Sequence, residues 1–131
     1  MLQTGIKGKV EMTVKEENLA STMKSGLMPV FATPCLVALM EETSWRSVEP
    51  YMEEGCGTVG TAVNIKHLTA TPEGMKVTCE SELIEIDGRR LVFDVKAYDA
   101  DGIVGEGTHE RFIINNEKFA AKAAGKRKRN S

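Results

Sequence analysis

The sequence predicts an α+β fold with one strand, one long helix and then an antiparallel meander of four strands. Three observations lead there. "KGKVEMTV" (7–14) alternates polar and apolar residues, with Val10, Met12 and Val14 on one face, the period of a half-buried strand. Residues 34–50 hold an unbroken apolar run, Leu36 to Met40, with Thr33 and Pro34 in front and Pro50 and Gly55 behind, which is helix punctuation. Segments 58–71, 75–86, 89–100 and 103–114 then alternate in part with period two, and Asp87-Gly88 and Asp101-Gly102 between them are tight-turn pairs.

Taken in order, the first strand leads into residues 15–30, where a short helix and a connection bearing Gly26 and Pro29 are expected. Thr33 is a good N-cap for the main helix, and Pro34 fits its first position, where a missing N–H costs nothing. The run from Leu36 to Met40 is apolar on every side, so this turn is expected to be enclosed by protein.

The 131 residues suit one domain, read as 1–116, followed by a basic tail, 117–131. The tail holds six Lys/Arg and one Glu, a charge of +5 against −2 for the whole chain. Such a terminal run is expected to be solvated and frayed, and no nucleic-acid partner is read from it. No apolar stretch reaches the length of a membrane span, and "MLQTGIKGKVEMTV" lacks the apolar core of a secretory signal. The three cysteines, Cys35, Cys56 and Cys79, are an odd number without CxxC spacing. They argue against a disulfide framework and a structural zinc site, and for a reducing cytoplasm.

Glu41 and Glu42 close the apolar run. Helical spacing sets Thr33, Val37 and Glu41 along one side, so if Val37 is core, Glu41 lies near the core. A buried carboxylate needs a partner or stays protonated. The alternative is that the helix emerges there and leaves both glutamates in solvent. Glu42 is turned about 100° away and faces Arg46 at i+4.

A long sheet wrapped around one mostly apolar helix is the hotdog arrangement, and the residues carry a resemblance to match. "VFATPCLVALMEE", "GTVGTAVNIKHLTATPEG", "EIDGRRLVFDVKAYD" and "GEGTHERFII" resemble the fluoroacetyl-CoA thioesterase-like family of hotdog acyl-CoA thioesterases, over nearly the whole chain. The resemblance implies hydrolysis of a small or medium acyl-CoA thioester, without metal or bound cofactor, by a homodimer. It implies catalytic roles for Thr33, Glu41 and His67 and substrate contacts for Gly60 and Arg111. Residues 20–30 match the lid over the acyl pocket, so Leu27 and Phe31 are read as substrate-binding. That lid carries Met23, Leu27 and Met28, with Phe31 its first aromatic, and suits a plain or variable acyl group better than a small fluorinated one.

The residue types fit thioester chemistry. Hydrolysis needs an attacking oxygen, a base and donors for the developing oxyanion. His67 is the natural base, since imidazole titrates near neutrality. Glu41 either fixes its tautomer or activates water, and Thr33 either attacks or orients. Gly60 lets backbone N–H groups approach the substrate. Locally, Thr33 also reads as a mere cap, Arg111 as one half of a salt bridge, and His109, two residues before Arg111, as either a second functional histidine or a packed or exposed structural one. A non-catalytic acyl-CoA-binding module on the same fold is the alternative; only an enzyme needs Thr33, Glu41 and His67 mutually close.

Overall fold

The computed structural model describes residues 1–129; the last two tail residues, 130 and 131, lie outside the described set. Five strands form one antiparallel sheet: β1 (Lys7–Thr13), β2 (Cys56–His67), β3 (Lys76–Asp87), β4 (Arg90–Asp99) and β5 (Gly102–Asn115), in the order β1-β3-β4-β5-β2. Before the central helix come a 3₁₀ turn at Glu16–Asn18 and the single-turn helix α1 (Ala20–Met23). The central helix, α2, runs from Thr33 to Val48 and ends in a 3₁₀ turn at Glu49–Tyr51.

The turns follow their chemistry. Asp87 pairs with Arg90, and Gly88 adopts φ 61°, a left-handed conformation that a side chain would resist. At the next hairpin the Asp99 carboxylate accepts the Asp101 N–H at 2.8 Å and the Thr71 hydroxyl at 2.8 Å, tying the β2–β3 connection to the β4–β5 turn.

The sheet curls around α2, whose buried side carries Leu36, Leu39, Met40 and Val48. These pack with Phe93, Leu83, Leu91 and Val104, all completely buried. The helix also presses closely on β1: a Cβ at Gly8 would stand 2.6 Å from the Thr43 carbonyl oxygen. The expectation that 36–40 is enclosed on every side needs correcting, because Val37 is half-buried and Ala38 exposed. That side of α2 lies along the free edge of β2, where no further strand of this chain covers it.

Two other readings change. The basic tail is a helix, α3 (Asn116–Arg129), with no buried residue, and Asn115 Oδ1 accepts the Lys118 N–H at its start. Its alternation of Ala with Lys and Arg has high helix propensity, and it forms a helix without burying any described residue. Strand β2 ends at His67 rather than at 71, because the chain turns there to tuck Thr71, fully buried, beneath β4.

Candidate active site

Helix α2 begins one residue earlier than the cap pattern suggests. Ala32 is the N-cap, in extended conformation at φ −75° and ψ 142°, and Thr33 opens the helix with Pro34 behind it. The Thr33 hydroxyl therefore caps nothing. It shares a 2.8 Å hydrogen bond with Nδ1 of His67, the last residue of β2. The His67 ring stands edge-on to Phe31, with centroids 6.4 Å apart and planes at 78°. Phe31 is 1% exposed, so it acts first as a wall for the imidazole. Phe31, Thr33 and His67 border a hollow of about 290 Å³ together with Ala20, Val30 and Leu68. Leu27 is not part of that lining and is 89% exposed on the lid segment.

Nε2 of His67 is buried without a hydrogen-bond partner, the one such side-chain N or O among the described residues. When the Thr33 hydroxyl donates to Nδ1, the ring proton sits on Nε2, where a carboxylate would complete the line. Burial lowers the His67 pKa, with the Thr69 backbone opposing, so the ring is neutral at physiological pH and able to accept a proton.

Glu41 lies elsewhere. Eight residues on from Thr33 is about 12 Å of helix, so it does not join the Thr33–His67 pair within one chain. Its carboxylate sits over Gly60, where a Cβ would stand 2.6 Å from Oε2. Only glycine leaves that space. Arg111 Nη1 is 3.6 Å from the same oxygen. The guanidinium is buried, and its other donors are committed: Nε to Thr58 Oγ1 at 2.8 Å, Nη2 to the Thr58 carbonyl at 3.0 Å, and Nη1 to His109 Nε2 at 3.1 Å. Arg111 thus holds a carboxylate and its own strand neighbour. Glu41 keeps 39% of its side chain exposed, so it lies partly in solvent beside Gly60 and not in the core as the helical pattern suggested. Glu42 pairs with Arg46 at 2.9 Å on the outer face.

The two clusters lie at two levels along the α2–β2 contact. Thr33 and His67 stand at one level, Glu41 and Gly60 at the other, and Val37 on the helix and Val63 and Ile65 on the strand lie between in sequence. Gly60 and His67 both face the helix although they are seven positions apart, an odd number in a structure of period two. A β-bulge reconciles them: the β2–β5 register shifts between Gly60 and Ala62, leaving Thr61 extra, with its hydroxyl donating to the Glu110 carbonyl at 3.2 Å. No residue signal announced this bulge in the sequence. The role of His109 had one, its spacing two residues from Arg111.

The fold and the threonine–histidine pair set the protein among the hotdog thioesterases. A hot-dog-like protein from Thermanaerovibrio acidaminovorans shares the fold, with a TM-score of 0.87 at 19% identity over 95% of this chain and 93% of that one. The chain belongs to the family of the fluoroacetyl-CoA-specific thioesterase, whose model matches residues 14–117. The fluoroacetyl-CoA thioesterase of Streptantibioticus cattleyicolor is 48% identical over 93 residues, 71% of this chain and 67% of that protein. The solved structure of the fluoroacetyl-CoA thioesterase FlK is 36% identical, with a TM-score of 0.91 over 96% of this chain and 98% of that one. A variant of FlK has been solved in complex with acetyl-CoA.

Proposed function

We propose that this protein hydrolyses small or medium acyl-CoA thioesters at a site built by two copies of the chain. The observation that carries the reading is the Thr33–His67 hydrogen bond at 2.8 Å, with Nε2 of the same ring buried and unpartnered. A base primed on one nitrogen and lacking an acceptor on the other calls for a carboxylate, and Glu41 is the family-matched one.

A second copy supplies it by a simple register. Strand β2 is a twelve-residue edge strand with unpaired backbone groups, and Val37, Ala38 and Trp45 beside it are incompletely covered. Let two β2 strands pair antiparallel about Asn64. Val63 then lies opposite Ile65 of the second copy, and the extra residue at Thr61 brings Gly60 opposite His67. Glu41, seated on Gly60, thereby meets the Thr33–His67 pair of the other chain. The dimer axis generates two such sites.

In this arrangement the thioester carbonyl lies between the two half-sites. Water or the Thr33 hydroxyl attacks carbon, and His67 with Glu41 takes the proton. The C–S bond breaks and CoA leaves as thiolate, which needs little acid assistance because thiols are weakly acidic. If Thr33 attacks, water then cleaves the acyl-threonine ester in a second step. Gly60 offers backbone to the oxyanion. The lid, with Met23, Leu27 and Met28 exposed, adapts to more than one acyl group. Three unpaired cysteines are in keeping with the cytoplasm.

The test has two parts. A panel of acetyl-, fluoroacetyl-, butyryl- and hexanoyl-CoA, read by release of free thiol, should show turnover of at least one; no turnover of any would reject the enzyme. Glu41→Gln and His67→Asn, each expected to turn over at about a hundredth of the wild-type rate or less alone, should then be unfolded and refolded together. A shared site predicts recovery to about one quarter of wild-type activity, since half the dimers are mixed and each holds one intact site. No recovery would place all three residues in one chain.

A further inference from the structure

His109 is a buried histidine that the hydrolytic scheme above does not use. It is 1% exposed, and its ring stacks on Phe93 with centroids 6.3 Å apart. Both of its nitrogens are engaged. Nδ1–H donates to the carbonyl of Ala62 at 2.8 Å, the residue just beyond the bulge. Nε2 accepts from Arg111 Nη1 at 3.1 Å. A carbonyl can only accept and a guanidinium can only donate, so the two partners fix the neutral Nδ1–H tautomer. The ring thus ties the bulged strand β2 to the arginine that faces Glu41 Oε2 at 3.6 Å.

We propose that His109 is a positioning residue for Glu41: its neutral imidazole locks the β2 bulge and the Arg111 guanidinium together, so that the carboxylate is held in one place over Gly60. The inference rests on the reading that Glu41 works in hydrolysis. The geometry gives the ring two separable tasks. Through Ala62 it fixes the bulge that turns Gly60 toward the helix. Through Arg111 it orients the cation that faces the carboxylate at 3.6 Å. Arg111 has no freedom left once Thr58 holds Nε and Nη2 and His109 holds Nη1, and a fixed cation fixes its anion.

Charge argues the same way. The charged groups around the ring are Arg111 and Glu110 on its own strand and Glu41 from the helix; the bulge of β2 presents only backbone and β4 presents Phe93. Burial and the Arg111 cation both lower the His109 pKa, while Ala62, Glu41 and Glu110 oppose them. Arg111 therefore meets an acceptor at neutral pH. A protonated ring would present it with a second donor and a like charge, and Glu41 would lose its anchor.

Three substitutions separate positioning from packing. His109→Phe keeps the stack on Phe93 and loses both polar contacts. His109→Gln offers Arg111 an acceptor at the reach of Nε2, and His109→Asn offers Ala62 a donor at the reach of Nδ1. On the best substrate of the thioester panel, His109→Phe should lower kcat by about tenfold or more with KM within about twofold, the scale of a misplaced catalytic group. Gln should recover part of that loss and Asn less. The deciding measurement is His109→Phe combined with Glu41→Gln. If His109 acts through Glu41, the double variant should be no slower than Glu41→Gln alone. A further loss in the double variant would overturn the proposal and leave His109 a packing residue. Full activity of His109→Phe would overturn it as well. Full activity of Glu41→Gln alone would instead reject the hydrolytic role of Glu41, which is a separate failure. Should His109→Phe not fold, the Gln and Asn variants in the Glu41→Gln background give the same comparison.

Discussion

Thr33 Oγ1 lies 2.8 Å from His67 Nδ1, joining the first residue of the central helix to the last residue of an edge strand, 34 positions away. The hydroxyl has no capping duty, so its removal costs the helix little. Thr33→Ala should lower turnover by about 10²-fold or more, the scale of lost nucleophilic or acid–base help, while the melting temperature stays within a few degrees. Thr33→Ser keeps the oxygen and should retain most of the rate. Equal losses in both variants would show that the methyl group, not the hydroxyl, is what matters.

Glu41 and Glu42 separate cleanly. Glu42 is bonded to Arg46 on the outer face, a pair worth about 0.3–0.5 kcal/mol, so Glu42→Gln should be nearly silent. Glu41→Gln preserves shape and removes charge, and should cost about 10²-fold in kcat. Steady-state rates on the purified, folded variants decide it. A dead Glu42→Gln would mean that the outer carboxylate is the working one.

Gly60→Ala tests the seat of that carboxylate. The added methyl would meet Glu41 Oε2 at 2.6 Å, and the neighbour that must give way is the far end of a flexible side chain. The fold should survive with a small change in melting temperature, and the rate should fall as in Glu41→Gln. A stable and fully active Gly60→Ala would show that the carboxylate works from another position.

The pH dependence has a definite sign. Burial lowers the pKa of both His67 and His109, so both rings are neutral in the folded protein where they would already be taking up protons in the unfolded chain. This contribution to stability is complete above about 6.5, the ordinary imidazole value, and is lost as pH falls below it. The melting temperature should be level from pH 8 to 7 and decline toward pH 5, with a smaller decline in His67→Asn. For the reaction, kcat/KM should rise with pH through a value below the ordinary imidazole range and then stay level. An activity rising only above pH 8 would point to a different base.

The C-terminal helix should be dispensable. None of its described residues is buried, and at its start the Lys118 N–H is held by Asn115 Oδ1. Truncation after Asn116 should leave turnover within a few-fold. A folded truncation that has lost its affinity for CoA would show that the basic run grips the nucleotide phosphates.

Much of the fold was legible in residue patterns because turns and helix ends have local chemistry. Asp87-Gly88, Pro34 and the alternation of β1 each reported their structure from a few neighbours. The arrangement of the site was legible only by resemblance. Whether Thr33 caps or reacts depends on a histidine 34 positions away. Whether Glu41 is buried depends on what covers the β2 edge. The C-terminal helix was misjudged because charge density pointed to a frayed end, whereas alanine and lysine spacing favoured helix. His109 could be grouped with Arg111 by period, but its tautomer is set by Ala62, whose carbonyl is aimed by a bulge that leaves no trace in composition.

That bulge gives β2 an unusual arithmetic. Upstream of Thr61 the helix-facing positions are even-numbered, as at Gly60; downstream they are odd-numbered, as at His67. One residue acts as a phase switch in the strand. Substituting Thr61 leaves the phase alone, because the count is unchanged. Deleting it would turn one half of the strand inside out, sending either the glycine seat or the histidine to solvent with every side chain still present. This segment should therefore tolerate many changes of letter and almost no change of length.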